Sequence, residues 1–271
     1  VAKLKSQEDF VHMRAAGHLA ALTLREAGKQ IKPGISTEQI NQFVHEYIVS
    51  RGAYPSPLNY KGFPKSVCTS VNEVVCHGIP KDTEILKEGD IINVDVTVTL
   101  NGYFGDCSQT FIVGSGTTPE REAVVEAARE SLARAIAVVR HGSKLGDIGA
   151  AIQNYAEGEK GLGVVRDFVG HGIGKVFHEA PQVPHYGVAG TGMKLTRGMC
   201  FTIEPMINFK SWRTKLLGDG WTAITSDGQP SAQFEHTIGL SGDGVELFTA
   251  LEDDWILHRA RQLGATIVSL S

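Results

Sequence analysis

Asn101-Gly102 stands between two alternating runs, IINVDVTVTL over 91–100 and YFGDCSQTFIV over 103–113. A two-residue hairpin turn needs positive φ at its centre, which Asn and Gly accept most readily, so this pair is a strong short-range pairing signal. The turn also sets register: Leu100 faces Tyr103, Asp95 faces Ser108, and Thr97 faces Asp106. Ile92, Val94, Val96 and Val98 then share one face, with Asn93, Asp95, Thr97 and Thr99 on the other. Asp95 and Asp106 become diagonal neighbours, ~7–8 Å apart at the backbone. Neither strand carries a Lys or Arg. Two such carboxylates repel, and a divalent cation between them removes the repulsion. From the hairpin alone a solvated face of a half-exposed sheet is the commoner outcome, so the rest of the chain decides.

Around the hairpin, helical and extended patterns alternate. Residues 6–28 repeat apolar side chains at Phe10, Val11, Ala15, Leu19, Leu22 and Leu24, and Ser36-Thr37-Glu38 opens a second helix ending at Gly52. A loop over 53–66 leads to β-branched runs at 67–71 and 74–76. Helices are expected at about 119–141 and 144–159, a glycine- and proline-broken segment at 160–198, and strands at 199–204 and 232–240. Helices and antiparallel strands in both halves predict an α+β fold. One catalytic domain over 1–271 is expected, with the tail after 250 unplaced.

Several classes drop out. A formal net charge of -4 gives no basic footprint for nucleic acid. No apolar run reaches the ~18 residues of a membrane span. The first residues carry both charge signs and lack the apolar stretch of a secretory signal. Cys68, Cys76, Cys107 and Cys200 form no CxxC, as expected of reduced thiols in a cytoplasmic protein. Neither GxSxG, GxxxxGK[ST] nor GxGxxG is present.

Two later regions add chemistry. Gly170-His171-Gly172-Ile173-Gly174, followed by His178, places two histidines among glycines that let a backbone approach a ligand closely. Alternation in Met199–Pro205 puts Glu204 with Thr202 and Cys200; in the 231–238 run it puts Glu235 with Gln233 and Thr237. Both glutamates are expected mid-strand on a polar face. Two Asp, two Glu and one His are too rich in carboxylate for a structural zinc site and suit two bridged divalent ions.

The chain resembles the type I methionine aminopeptidases over roughly residues 4–250. The motifs that carry this are Lys65-Ser66-Val67-Cys68, the run from Asn72 to Pro80, Asp95 with Asp106, Gly170–Gly174 with His178, Thr202-Ile203-Glu204-Pro205, and Ser231 to Thr237. The resemblance implies a pita-bread fold: a pseudo-two-fold antiparallel sheet flanked by helices around a dinuclear metal site. It implies Asp95, Asp106, His171, Glu204 and Glu235 as ligands of two divalent ions, whether Mn, Fe, Co or Zn. Glu204 would also be the base that takes a proton from metal-activated water, His178 would donate to the scissile carbonyl oxygen, and His77 would contact the peptide beyond the scissile bond. The methionine pocket maps onto Tyr60, Phe63, Cys68, Phe177 and Trp221. Implied partners are the N-terminal methionyl peptides of nascent chains, with proximity to the ribosome.

Phe63 stands where this family often has tyrosine, and the cysteine often found shortly before Tyr60 is absent from Tyr54-Pro55-Ser56-Pro57-Leu58-Asn59. The short spacing of His171, Glu204 and Glu235 leaves no room for the helical insertion of the type II enzymes. Two rival readings remain: a proline-specific peptidase with the same ligand plan, and a binding module that has lost catalysis. The little chain preceding Asp95 counts against the first, and the presence of all five ligands and both histidines against the second.

Overall fold

The computed structural model describes residues 2–242 and 244–268, so Val1, Asp243 and 269–271 of the expected domain lie outside it. The first half comprises α1 (Gln7–Gly28), α2 (Thr37–Val49), β1 (Tyr54–Pro55), β2 (Cys68–Val71), β3 (Val74–Cys76), β4 (Ile91–Leu100) and β5 (Tyr103–Ile112). The second begins with α3 (Pro119–Ala137), α4 (Leu145–Gln153), β6 (Gly163–Val164), β7 (Gly170–Gly172) and β8 (Glu179–Val183). It continues with β9 (Cys200–Ile203), β10 (Met206–Asn208), β11 (Thr214–Leu216), β12 (Ala223–Thr225), β13 (Ser231–Gln233), β14 (Glu235–Ser241), β15 (Gly244–Leu247) and α5 (Trp255–Gln262).

The main sheet runs β1-β4-β5-β14-β9-β7-β8, with β2 added to β4 and β15 to β14; β13-β10-β6 and β11-β12-β3 form two small sheets. All these pairings are antiparallel, and the hairpin has the expected register, Asp95 opposite Ser108 and Thr97 opposite Asp106. The apolar face of β4, from Ile92 to Val98, packs under α1 and α2 with Leu24, Ile40 and Val44. A second core under α3 and α4 gathers Leu132, Ile136, Ile148, Phe201 and Ile238. Two helix-covered halves thus meet between β5 and β14.

Local chemistry explains the helices. Ser6 Oγ accepts from the Asp9 N–H at 3.1 Å while Asp9 Oδ2 accepts from the Ser6 N–H at 2.7 Å, a reciprocal cap on α1. The helix then crosses β5 at close range, where a Cβ on Gly105 would lie 2.6 Å from Gly17 Cα. The helix expected over 119–141 ends at Ala137, and the one over 144–159 becomes a π turn from Asn154 to Glu159. The tail is ordered as well. Ile256, Leu257 and Ala260 of α5 join the second core, and Arg259 grips Glu130 of α3 with two bonds of 2.7 and 2.8 Å.

Candidate metal centre and substrate pocket

Sheet register assembles the site from distant stretches of chain. Pairing runs from Cys68 on β2 to Asp95 on β4, Ser108 on β5 and Glu235 on β14, one row across the sheet. In the adjacent row, Thr97 donates to Asp106 Oδ1 at 2.7 Å, and the Asp106 N–H donates to Thr237 Oγ1 at 3.1 Å. Thr237 pairs with Thr202 on β9, whose hydroxyl accepts from the His171 N–H at 3.0 Å. Residues two apart on a strand share a face, so both rows point into the same space.

The glutamates are not mid-strand, contrary to the alternation. Glu204 directly follows β9 and Glu235 opens β14. Ile203 pairs with His236 and Met206 with Gln233, a continuous register broken only between them. Glu204 therefore stands opposite Glu235 where both strands pass from one sheet to another. Pro205 has no N–H for a ladder, which favours the break there. Such a break frees both carboxylates from a flat sheet face.

The cluster is short of positive charge. His171 Nε2 lies 3.5 Å from Asp106 Oδ2 and 3.6 Å from Glu204 Oε1, and among the described residues it is the one ion-pair partner of these carboxylates. Ligand atoms of Asp106, His171 and Glu235 lie within 4.8 Å of one another, with Asp95 and Glu204 lining the same cavity. Burial, then the Asp106 and Glu204 charges, pushes Asp95 well above the usual carboxylate range; burial, then Asp106, does the same to Glu235. Glu204 is pushed up to about 7, chiefly by burial. Burial pulls His171 down, yet Asp106 and Glu204 outweigh it and leave its pKa raised. Asp95 Oδ1 and Glu235 Oε1 are buried without a hydrogen-bond partner. Ionised carboxylates in that state are costly unless a cation meets them. Orphaned oxygens, mutual repulsion and a hard donor set all fit divalent metal.

The cavity, about 650 Å³, extends from this cluster to a wall of rings. Tyr60, Phe63, Cys68, His77, Phe177, His178 and Trp221, the residues to which the resemblance assigns substrate contacts, all line it. Tyr60 packs on Phe177 with centroids 4.7 Å apart, and Phe63 meets Trp221 edge-on at 5.2 Å. Burial raises the Cys68 thiol, so it is an apolar wall rather than a thiolate. His77 has φ 56, an uncommon conformation for a residue with a Cβ, and its ring meets Phe168 and Trp221 edge-on. His178 is lowered to about 4 by packing among its neighbours and by the adjacent His171, while its outer edge stays open to the cavity. Its Nδ1 lies 2.9 Å from the Tyr60 hydroxyl.

The description Metallopeptidase family M24 matches residues 11–241. The chain belongs to metallopeptidase family M24. Within M24 it groups with the methionine aminopeptidases. It is 55% identical over 246 residues to methionine aminopeptidase A of Synechocystis sp., covering 91% of this chain and 96% of that one. With the Escherichia coli K12 methionine aminopeptidase it shares 48% over 254 residues, covering 93% and 96%. The crystal structure of methionine aminopeptidase from Rickettsia prowazekii superposes with a TM-score of 0.90 at 51% identity, over 92% of this chain and 100% of that one. A prolidase from Pyrococcus furiosus, at 22% identity and TM-score 0.72 over 92% of this chain and 66% of its own, shares the pita-bread fold alone.

The structure of this M24 chain adds residues around Glu204 to which the sequence assigned no role. Thr202 donates to Glu204 Oε1 at 2.7 Å, and Gln233 Nε2 lies 3.2 Å from Oε2. Strand alternation had placed Thr97, Thr202 and Gln233 on the carboxylate face, so their positions were legible although their partners were not.

Proposed function

We propose that this M24 chain is a metal-dependent methionine aminopeptidase, removing N-terminal methionine from nascent proteins whose second residue is small. The observation that carries this is a single cavity with unlike ends, carboxylates and His171 at one and aromatic and sulfur walls at the other. High identity to enzymes named methionine aminopeptidase supports it.

In this reading Asp95, Asp106, His171, Glu204 and Glu235 hold two divalent ions, of Mn, Fe, Co or Zn. Bound there, the ions polarise a carbonyl and lower the pKa of water towards ~7. Glu204, its oxygens fixed by Thr202 and Gln233, takes a proton from the attacking water at Oε2 and passes it to the leaving amine. His178 is neutral near pH 7, and in the tautomer that this role needs Nδ1 accepts from the Tyr60 hydroxyl while Nε2 carries the hydrogen. That N–H donates to the scissile carbonyl oxygen as negative charge develops there.

A terminal ammonium is attracted to the carboxylate end, which an internal residue cannot exploit. Phe63, Trp221, Tyr60, Phe177 and Cys68 receive a flexible thioether. His77, between Phe168 and Trp221, narrows the space for the residue after methionine, which favours small side chains there. Action on nascent chains implies a place in the cytoplasm close to the ribosome. Among the described residues no helix is long and apolar enough to cross a membrane.

The test is free-methionine release from Met-Ala-Ser, Met-Lys-Ser and Xaa-Pro peptides by protein stripped with EDTA and reloaded with each metal. Metal-restored cleavage of Met-Ala-Ser alone, lost in Glu204→Ala, is expected. Turnover of Xaa-Pro peptides without methionine release would move the chain to the proline-specific branch. Tight metal binding without any turnover would make it a binding module.

A further inference from the structure

On the edge of β9 that faces β7, the ladder is reduced to one pairing, Gly172 with Phe201. The Ile173 N–H still reaches the Cys200 carbonyl at 3.2 Å, but two further backbone donors go to side chains. The His171 N–H goes to the Thr202 hydroxyl, and the Glu204 N–H goes to His185 Nε2 at 3.1 Å. His185 follows β8, has no exposed surface, and does not line the cavity. Because Nε2 accepts, the ring proton sits on Nδ1, and Nδ1 is buried without a partner. A buried unmade donor costs free energy that an apolar side chain of similar volume avoids. Filling space therefore does not explain a histidine here; the acceptor does.

We infer that His185 is a positioning residue for Glu204, supplying through Nε2 the main-chain acceptor that the interrupted sheet does not provide. Thr202 holds one carboxylate oxygen, and Gln233 Nε2 reaches both the other, at 3.2 Å, and the Glu204 carbonyl oxygen, at 3.3 Å, so the main-chain N–H is left to His185. His185 acts on the main chain, at the point where the chain changes sheets. A residue that must face a metal ion and also carry a proton tolerates little displacement.

This inference rests on the proposed metal site, and its test separates the two. His185→Gln keeps a side-chain acceptor, whereas His185→Leu and His185→Met have comparable volume and none. Mn²⁺ affinity is measured by titration calorimetry on metal-free protein, together with kcat and KM for Met-Ala-Ser. The Leu and Met variants are expected to lose about 10–100-fold in Mn²⁺ affinity and in kcat, with KM within about threefold, and the Gln variant to recover most of the loss. Wild-type affinity and kcat in either apolar variant would overturn the assignment, as would a Gln variant no better than Leu. Two apolar variants that fail to fold beside a folded Gln variant would make His185 a stability residue and overturn it too. The calorimetry needs no substrate. Absence of methionine release by the wild type would count against the proposed activity and leave the His185 result standing.

Discussion

Tyr60 shows how one atom changes a residue's meaning. As a ring it is pocket wall, but its hydroxyl lies 2.9 Å from His178 Nδ1, and in the proposed mechanism it donates there and leaves the hydrogen on Nε2. Tyr60→Phe is expected to lower kcat on Met-Ala-Ser about fivefold, the equivalent of a hydrogen bond worth about 1 kcal/mol. His178→Ala, which in the proposed mechanism removes the donor to the developing oxyanion, should cost about 10²–10³ in kcat. Equal losses in the two variants would mean that the hydroxyl itself meets the substrate. Phe63 has no hydroxyl to offer, and its edge-on contact with Trp221 makes its role one of shape.

At the scale of elements, α1 carries a testable electrostatic anchor. Asp9 closes the cap with Ser6 and accepts from the Tyr103 hydroxyl at 2.5 Å, so the helix start is tied to the turn end of β5. The Tyr103 hydroxyl first, then the Ser6 N–H, holds the Asp9 carboxyl below the usual carboxylate range. A carboxylate depressed in the folded state contributes stability that is present above its unfolded pKa of about 3.9 and lost as pH falls through the folded value. Asp9→Ala is expected to destabilise by about 1 kcal/mol at pH 7, on the scale of a lost cap. The difference from wild type should shrink as chemical denaturation is repeated at progressively lower pH. A constant difference down to pH 2 would exclude the charge as its origin.

The whole molecule is folded around unneutralised charge. Asp95, Glu204 and Glu235 come from three different strand termini or interiors and meet only because β4, β5, β14 and β9 lie side by side. In metal-free protein their raised pKa values mean that the folded state holds protons that the unfolded state releases. Stability is then fully present below the unfolded carboxyl pKa of about 4 and is lost as pH rises through the folded values, with Glu204 at about 7. The Tm of metal-free protein should therefore fall between pH 5 and about 8, and a saturating divalent ion should reverse the fall. At a free ion concentration 100 times Kd the gain is about 2.7 kcal/mol. Equal Tm values with and without metal at pH 8 would count against the cluster as a metal site.

By itself the sequence determined what rests on short-range chemistry. Asn101-Gly102 set the hairpin register, and that register placed Asp95 and Asp106 on one face. Capping residues and apolar spacing located α1 and α2, and long motifs tied His171, Glu204 and Glu235 to the same centre through family resemblance. Tertiary structure decided what depends on distant partners. The sheet changes at Glu204 and Glu235 arise because two separate strands leave one sheet together, a pairing that local alternation cannot reveal. The tail's place on α3 depends on Glu130, far away along the chain. His185 carried no local signal, since its partner is a main-chain N–H whose need for an acceptor exists only once the sheet around it has been interrupted.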